Sequence, residues 1–520
     1  MKTPLARIQR TLDRSDLERT AHSRLRGLPA KSYRTEEPGR PKVKPALPER
    51  SGRDTQYRVF PGARNGGVEG GTSGKGEAVL ATAKRLSDAT VKVPGRWSLG
   101  FIGIMFYGFI EYSRLPEMYP FFQIFDLGKV AVILATVGYL ASPRARSGVR
   151  PASRGMDTAV LIFMIVIFLS ACLTSYQTYV WGGFIAALYY GIVYFLLSRL
   201  LTSFWQIRTF LFMVLLLNLK LAQHTVRSYF TDRSAGMSDM RIIMSGGAGE
   251  GVSSFFGNVG DLGLAMTVVW GIAWAWLVGK VENKKVVRGF LIVCFIFFFL
   301  AIVFSGSRGA LVGAAAIVMV ALAKSPKRVG AAFLAIFFLL SLWLIVPGAS
   351  KQRFQAAWNW RTDPDSASRI TFWEIGLDIF EHNPVLGVGP NNYPNVNPLH
   401  RAAHSMYIQA LSETGLAGTF SFLAMLVLFF RQNARTRKLA LETDAAGRRS
   451  FAYCLAFGLD LGMVGLLISG IFLSVLYYPH LWILLGLSVA LNKCCLNALQ
   501  EKDAPQPQEM RPRKLAPAVS

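Results

Sequence analysis

Residues 288–323 read RGFLIVCFIFFFLAIVFSGSRGALVGAAAIVMVALA. Two apolar runs, near 288–305 and 308–323, meet at Ser305-Gly306-Ser307-Arg308-Gly309. A membrane span needs about 20 predominantly apolar residues, so this stretch reads as two spans joined by a tight hairpin. Arg308 stands at the tip, with little loop to carry it into water. A cation in that position is costly unless something anionic faces it, which makes Arg308 a functional candidate. The alternative is an interfacial arginine snorkelling to lipid headgroups.

The rest of the chain extends this pattern. Of 520 residues, 52% are hydrophobic and only 17% charged, against about 25% charged in a soluble domain. The mean hydropathy is +0.33. These values exclude a collagen-like chain, a fully disordered one and a soluble nucleic-acid binder, despite a net charge of +26. Before Trp97 there are 21 Lys and Arg against 10 acidic residues, an excess of 11 positive charges. Residues 1–95, rich in Pro, Gly, Arg and Ser, are expected to form a disordered, basic cytosolic arm, with no signal peptide at the start. Residues 496–520 are expected to be a disordered cytosolic tail. Cys172, Cys294, Cys454, Cys494 and Cys495 lie in or beside apolar runs and show no disulfide or metal spacing.

Twelve spans are read between these ends: near 97–113, 124–142, 156–175, 178–198, 204–222, 260–279, 288–305, 308–323, 329–348, 411–430, 451–473 and 476–493. The fold class is therefore all-α, a polytopic membrane protein. If the arm is cytosolic, the even-numbered connections return to the cytosol. They carry the basic clusters Arg144/Arg146/Arg150/Arg154, Arg199/Arg208, Lys280/Lys284/Lys285/Arg288, Lys324/Lys327/Arg328 and Arg431/Arg435/Arg437/Lys438/Arg448/Arg449. That asymmetry obeys the positive-inside rule along the whole chain. Two long outer loops follow, about 225–259 and 349–410, the second between spans nine and ten. Cations of the outer face, among them Arg353, Arg361, Arg369, His400 and His404, run against the topological bias.

The strongest local signal is Ala403-His404-Ser405-Met406-Tyr407-Ile408-Gln409-Ala410-Leu411-Ser412-Glu413-Thr414-Gly415-Leu416-Ala417-Gly418. It resembles the signature of the bacterial O-antigen ligase and polymerase superfamily: His, a small polar residue, nine residues, then Gly-x-x-Gly at the start of a membrane helix. Arg369-Ile370-Thr371-Phe372-Trp373-Glu374, followed by Asn383-Pro384-Val385-Leu386-Gly387-Val388-Gly389, is similar to the family's outer segment. Ser307-Arg308-Gly309 looks like its hairpin. The order matches from about 245 to 475. Asn258 is retained where the family often has Asn-Pro-Asn, but Gly260 replaces the second Asn. The resemblance implies a membrane-embedded glycosyltransferase of the GT-C type that uses no metal and no cofactor. It would take a glycan from an undecaprenyl-diphosphate carrier at the periplasmic face of the bacterial inner membrane. Its partners would be that lipid-linked glycan, an acceptor lipid, glycan or protein, and membrane lipids, with no nucleic acid.

The residue types suit that chemistry. A departing diphosphate needs fixed cations, and arginine presents a planar fork that pairs bidentately with phosphate. An acceptor hydroxyl needs a base titrating near neutrality, which histidine is. The expected assignments are His404 as catalytic base and Arg308, Arg369 and Lys220 as diphosphate ligands. Ser405, Glu413, Gly415, Gly418 and Asn258 are supporting residues. For Gly415 and Gly418 the plainer reading is close helix packing, and for Lys220 it is snorkelling. Asp460 is expected to fix packing. His400 and His404, four apart, lack the third ligand and general-base Glu of a zinc motif. Asp363-Pro364-Asp365 reads as a turn. Rival functions are a polymerase or protein O-oligosaccharyltransferase of the same superfamily and, from another class, a lipid-glycan flippase or transporter. The last would show similar halves with interrupted helices at mid-membrane, and no such repeat is visible.

Overall fold

A computed structural model describes residues 97–141, 154–234, 258–282, 284–324, 364–444 and 446–503. The described residues are helical, with no strand among them. The twelve longer helices are α1 (Leu99–Ser113), α2 (Leu127–Ala141), α3 (Arg154–Leu173), α4 (Gln177–Leu200), α5 (Phe204–Ser234), α6 (Val259–Val278), α7 (Lys285–Phe304), α8 (Arg308–Ala323), α9 (Pro364–His382), α10 (Met406–Thr443), α11 (Phe451–Ser469) and α12 (Pro479–Asp503).

Eight of these, α3 to α7 and α10 to α12, are long and apolar enough to cross a membrane. Helices α1, α2 and α8 are apolar but only 15 or 16 residues long, about 22–24 Å at 1.5 Å per residue. Eleven of the twelve expected spans thus coincide with helices. The ninth, 329–348, lies outside the described residues, as do the arm and Arg353 and Arg361. Several boundaries move. Helix α5 runs to Ser234, into the expected loop 225–259, and α12 runs to Asp503, past the expected start of the tail at 496. Helix α10 begins at Met406, before the expected 411, and reaches Thr443, well past 430. Helix α9 lies within the expected outer loop 349–410.

Sequence sets the depth of each helix. Helix α6 is apolar on every side, and 78% of its most apolar window is buried, as expected of a helix at the centre of a bundle. It packs tightly on α11, where a side chain on Gly271 would come within 2.8 Å of the Gly462 backbone nitrogen. Small residues let the two backbones approach where hydrophobicity supplies no drive between helices in lipid. Helices α1 and α2 meet in the same way, Gly100 against Gly138 and Gly103 against Ala135. Helix α7 is two-thirds unburied and shows Ile292 and Ile296 outward.

The alternating helices divide the connections between two ends. At one end Asp157 of α3 takes Arg199 of α4 at 2.7 Å, Glu282 takes Arg208 at 3.4 Å, and the Lys502 Nζ donates to the Glu442 carbonyl. Asp460 lies towards that end, accepting from Asn433 at 2.8 Å and from Arg437. These partners support the packing role expected of Asp460. The other end gathers the α3–α4 turn, the starts of α6, α8, α10 and α12, the end of α11 and the segment 383–405.

Candidate functional site

Helix α10 is interrupted. Gly415 has φ 61° and ψ −163°, a region open essentially to glycine alone. The segment Pro384–Gly389 fills the break. Leu416 and Ala417 donate their backbone N–H groups to the Pro384 and Val385 carbonyls at 2.8 and 3.1 Å. In return Val388 and Gly389 donate to the Ser412 and Glu413 carbonyls at 2.9 and 3.0 Å. A membrane helix can break only where its freed backbone groups find new partners, and here the turn supplies them on both sides.

The fit leaves no room for a β-carbon. One on Gly415 would lie 2.4 Å from the Val385 carbonyl, and one on Gly387, at φ +68°, 2.3 Å from the Glu413 backbone. Gly415 therefore packs against a docked loop and not against another helix, as the plainer reading would have it. Gly418 makes room for Thr414 of its own helix, whose hydroxyl a β-carbon would meet at 2.1 Å.

Glu413, fully buried beside the break, ties the same segment down. Its carboxylate accepts from the backbone N–H of Asn391 at 2.8 Å and of Tyr393 at 3.3 Å, and from the Gln409 amide at 3.3 Å. Glu413 thus takes the place of water for a loop that enters the bundle. From α3, the Thr174 hydroxyl donates to the Val388 carbonyl at 2.8 Å. The Asn392 amide donates to the Tyr176 carbonyl at 3.2 Å.

This clamp holds up the residues singled out by sequence. His404, at φ +48°, precedes Ser405, the extended and buried residue that begins α10. The His404 ring lies 5.7 Å from that of Phe372, centre to centre. Phe372 is on α9, one turn beyond Arg369. The Arg369 Nη1 donates to the Phe472 carbonyl at 3.0 Å, with its guanidinium 6.0 Å from the centre of the Phe472 ring. Phe472 also abuts the α8 hairpin, since a β-carbon on Gly309 would sit 3.2 Å from its ring. Ser469 donates to the Gly309 carbonyl at 3.2 Å, and the Ser307 hydroxyl caps α8 by accepting from Ala310 at 3.3 Å. The hairpin that carries Arg308, the helix that carries Arg369 and the strap that carries His404 thus meet around Phe472 and Phe372. All three residues are half-buried.

Two assigned residues stand apart. The Lys220 Nζ, exposed on α5, lies 3.3 Å from the Met118 sulfur. Asn258 caps α6, its side-chain oxygen accepting from Gly260 at 2.8 Å. That cap accounts for the amide without a ligand. His400, at φ +50°, and His404 lie in non-helical backbone, so they share no helix face. No cluster of potential metal ligands occurs among the described residues.

Sequence reading missed a polar cavity of about 320 Å³ at the same end. Its lining includes Glu111, Arg114, Asp261, Asn391, Gln409 and Tyr478. Arg114 follows α1 at φ 52°. It is a cation directly after an apolar run, so the argument that singled out Arg308 applied to it as well.

With this geometry in view, the chain's relationships become interpretable. The family model described as O-antigen ligase matches residues 292–423, a span from α7 through the hairpin, α9 and the strap to the break in α10. The match spans 132 of the 520 residues and supports assignment to the O-antigen ligase and polymerase superfamily. Eight long apolar helices among the described residues mark a multi-pass membrane protein, and the matched domain is that of a glycosyltransferase-like enzyme family tied to polysaccharide and lipopolysaccharide biosynthesis. Comparison with curated proteins found no significant match.

Proposed function

We propose that the protein transfers a glycan from an undecaprenyl-diphosphate carrier to an acceptor hydroxyl at the periplasmic face of the bacterial inner membrane, as an O-antigen ligase does. The observation that carries this reading is the meeting at Phe472. Its carbonyl and ring hold Arg369, and its ring abuts Gly309 beside Arg308. Two cations from segments some 60 residues apart in the chain serve one region, with His404 one ring contact away.

In the proposed reaction, the His404 ring nitrogen accepts the proton of the acceptor hydroxyl as its oxygen bonds to the anomeric carbon of the donor. The bond from that carbon to the diphosphate breaks, and the carrier diphosphate leaves with its new charge against Arg308 and Arg369. Fixed guanidinium groups take the part a divalent ion would play, so the proposal is metal-independent. The Glu413 and Gly415 clamp positions the strap on which His404 sits. Lys220, set against Met118, would contact the diphosphate only at the periphery.

Polymerisation of repeat units, or transfer to a protein hydroxyl, uses the same leaving group and the same three residues. The test is purified protein in detergent with a synthetic undecaprenyl-diphosphate oligosaccharide and candidate acceptors. A product one glycan larger than the acceptor supports ligation, a ladder supports polymerisation, and no covalent product refutes transfer.

A further inference from the structure

The cavity at the strap end is not lined by Arg308, Arg369 or His404, so the catalytic proposal leaves it without an occupant. Its walls come from distant parts of the chain: Glu111 and Arg114 at the end of α1, Gly183, Ala186 and Tyr190 on α4, and Asp261 on α6. Asn391, Gln409 and the segment Ser474–Pro479 complete it. At about 320 Å³ it stands at the small end of the ~300–1,000 Å³ typical of small-molecule sites.

Its chemistry narrows the occupant. Glu111 and Asp261 supply two carboxylates against the one guanidinium of Arg114, a balance that disfavours a diphosphate. A lipid tail is disfavoured by a wall of carboxylates, amides and hydroxyls that it could not satisfy. The Tyr478 hydroxyl donates to Asp261 at 2.5 Å, and the Gln409 side-chain oxygen accepts from the Leu476 backbone at 3.3 Å, so part of the wall is held in a fixed orientation. The Ser474 hydroxyl is buried without a hydrogen-bond partner among the described residues. A desolvated hydroxyl calls for a partner. A ligand bearing many hydroxyls fits such a wall, with carboxylates to accept, amides to donate and tyrosine rings to lie against sugar faces.

We infer that this cavity binds a saccharide, the end of one of the two glycans that take part in transfer. The inference rests on the glycosyltransferase reading for the origin of the sugar, and adds where it is recognised. Glu111, Arg114, Ala186, Tyr190 and Asp261 lie outside residues 292–423. Sugar selectivity is thereby assigned largely to residues outside the matched segment, with Asn391 and Gln409 contributed from within it.

The test measures binding apart from transfer. Two probes are prepared from the membranes of cells that make the protein: the oligosaccharide released by mild acid from the lipid-diphosphate donor, and the delipidated glycan of the acceptor lipid. Each is titrated calorimetrically onto the full-length protein in detergent. Ala186→Phe narrows the cavity, and Glu111→Gln removes a carboxylate at constant shape. Ile185→Phe, at an exposed site that does not line the cavity, controls for added bulk.

One of the two probes should bind the wild type and the Ile185→Phe protein alike. It should bind Ala186→Phe and Glu111→Gln about tenfold or more weakly, as loss of a buried hydrogen bond to ligand predicts. Which probe responds tells donor glycan from acceptor glycan. If Ala186→Phe fails to fold, Glu111→Gln alone decides. Absence of binding by either probe to the wild type, or binding unaffected by the variants that fold, overturns the inference. Binding that responds to the variants in a protein that transfers nothing would uphold the cavity and refute the transfer reaction.

Discussion

The two ends of the helix bundle handle charge and backbone in different ways. At the end of Arg199, Arg208 and Arg437, each of these guanidinium groups meets a carboxylate, and among the described residues there only Lys280 and Gly447 have positive φ. At the strap end, Gly306, Gly387, Gly389 and Gly415 all have positive φ, as do Arg114, Asn391, His400 and His404. Arg369 there is held by a carbonyl and an aromatic ring. One end uses charge to fix helices in place. The other concentrates unusual backbone, polar lining and cations, and strain of that kind gathers at functional sites.

The sharpest way to break this contrast is Gly415→Ala. The new methyl group would overlap the Val385 backbone, and the residue would sit in a conformation reserved for glycine. A loss of about 3 kcal/mol or more is expected, seen as a large drop in the unfolding temperature of the protein in detergent. A near wild-type melting curve would show that the loop is not locked into the break.

Next comes Arg369→Ala, expected to lower turnover about 10²–10³-fold as loss of a preorganised charge does, with weaker donor binding. Arg369→Lys should recover only part, because it keeps the charge and loses the fork. Full recovery by lysine would remove the bidentate geometry from the account. Glu413→Gln retains the shape but replaces one acceptor oxygen with a donor facing backbone N–H. A cost of about 1–3 kcal/mol in stability is expected, with faster hydrogen exchange at Asn391 and Tyr393. At the opposite end, Arg199→Met breaks a partly exposed pair and should cost less than about 1 kcal/mol, leaving transfer unchanged. If Arg199→Met impaired transfer as much as Arg369→Ala, the division between the ends would fail.

The sequence made the bundle legible because a run of apolar residues long enough to span lipid has few other uses, and the alternation of Lys and Arg between connections carries direction. Arg308 drew notice as a cation at a tight hairpin tip, and Arg369 and His404 through the motifs they open, and the structure brings the segments that carry them together around Phe472 and Phe372. The break at Gly415 was not legible. Hydropathy across 411–430 reads as one run, and the reason for the glycine lies in a turn some 30 residues earlier, at Pro384–Gly389. The roles of Asn258 and Lys220 were also beyond sequence, since only geometry shows that one caps α6 and the other lies against Met118. The cavity was hidden for a similar reason. Its walls come from α1, α4, α6, α10 and the segments around Asn391 and Tyr478, and no local spacing brings Glu111 near Gln409.

The most direct test of the central claim compares two histidines four residues apart on the same strap. His404 lies against Phe372 and His400 is exposed. In the lipid-diphosphate oligosaccharide assay, His404→Ala should lower turnover by roughly 10²–10⁴-fold, the contribution of a positioned general base. His400→Ala should stay close to wild type, and both proteins should fold and bind donor normally. Equal, small losses for the two variants would contradict the account.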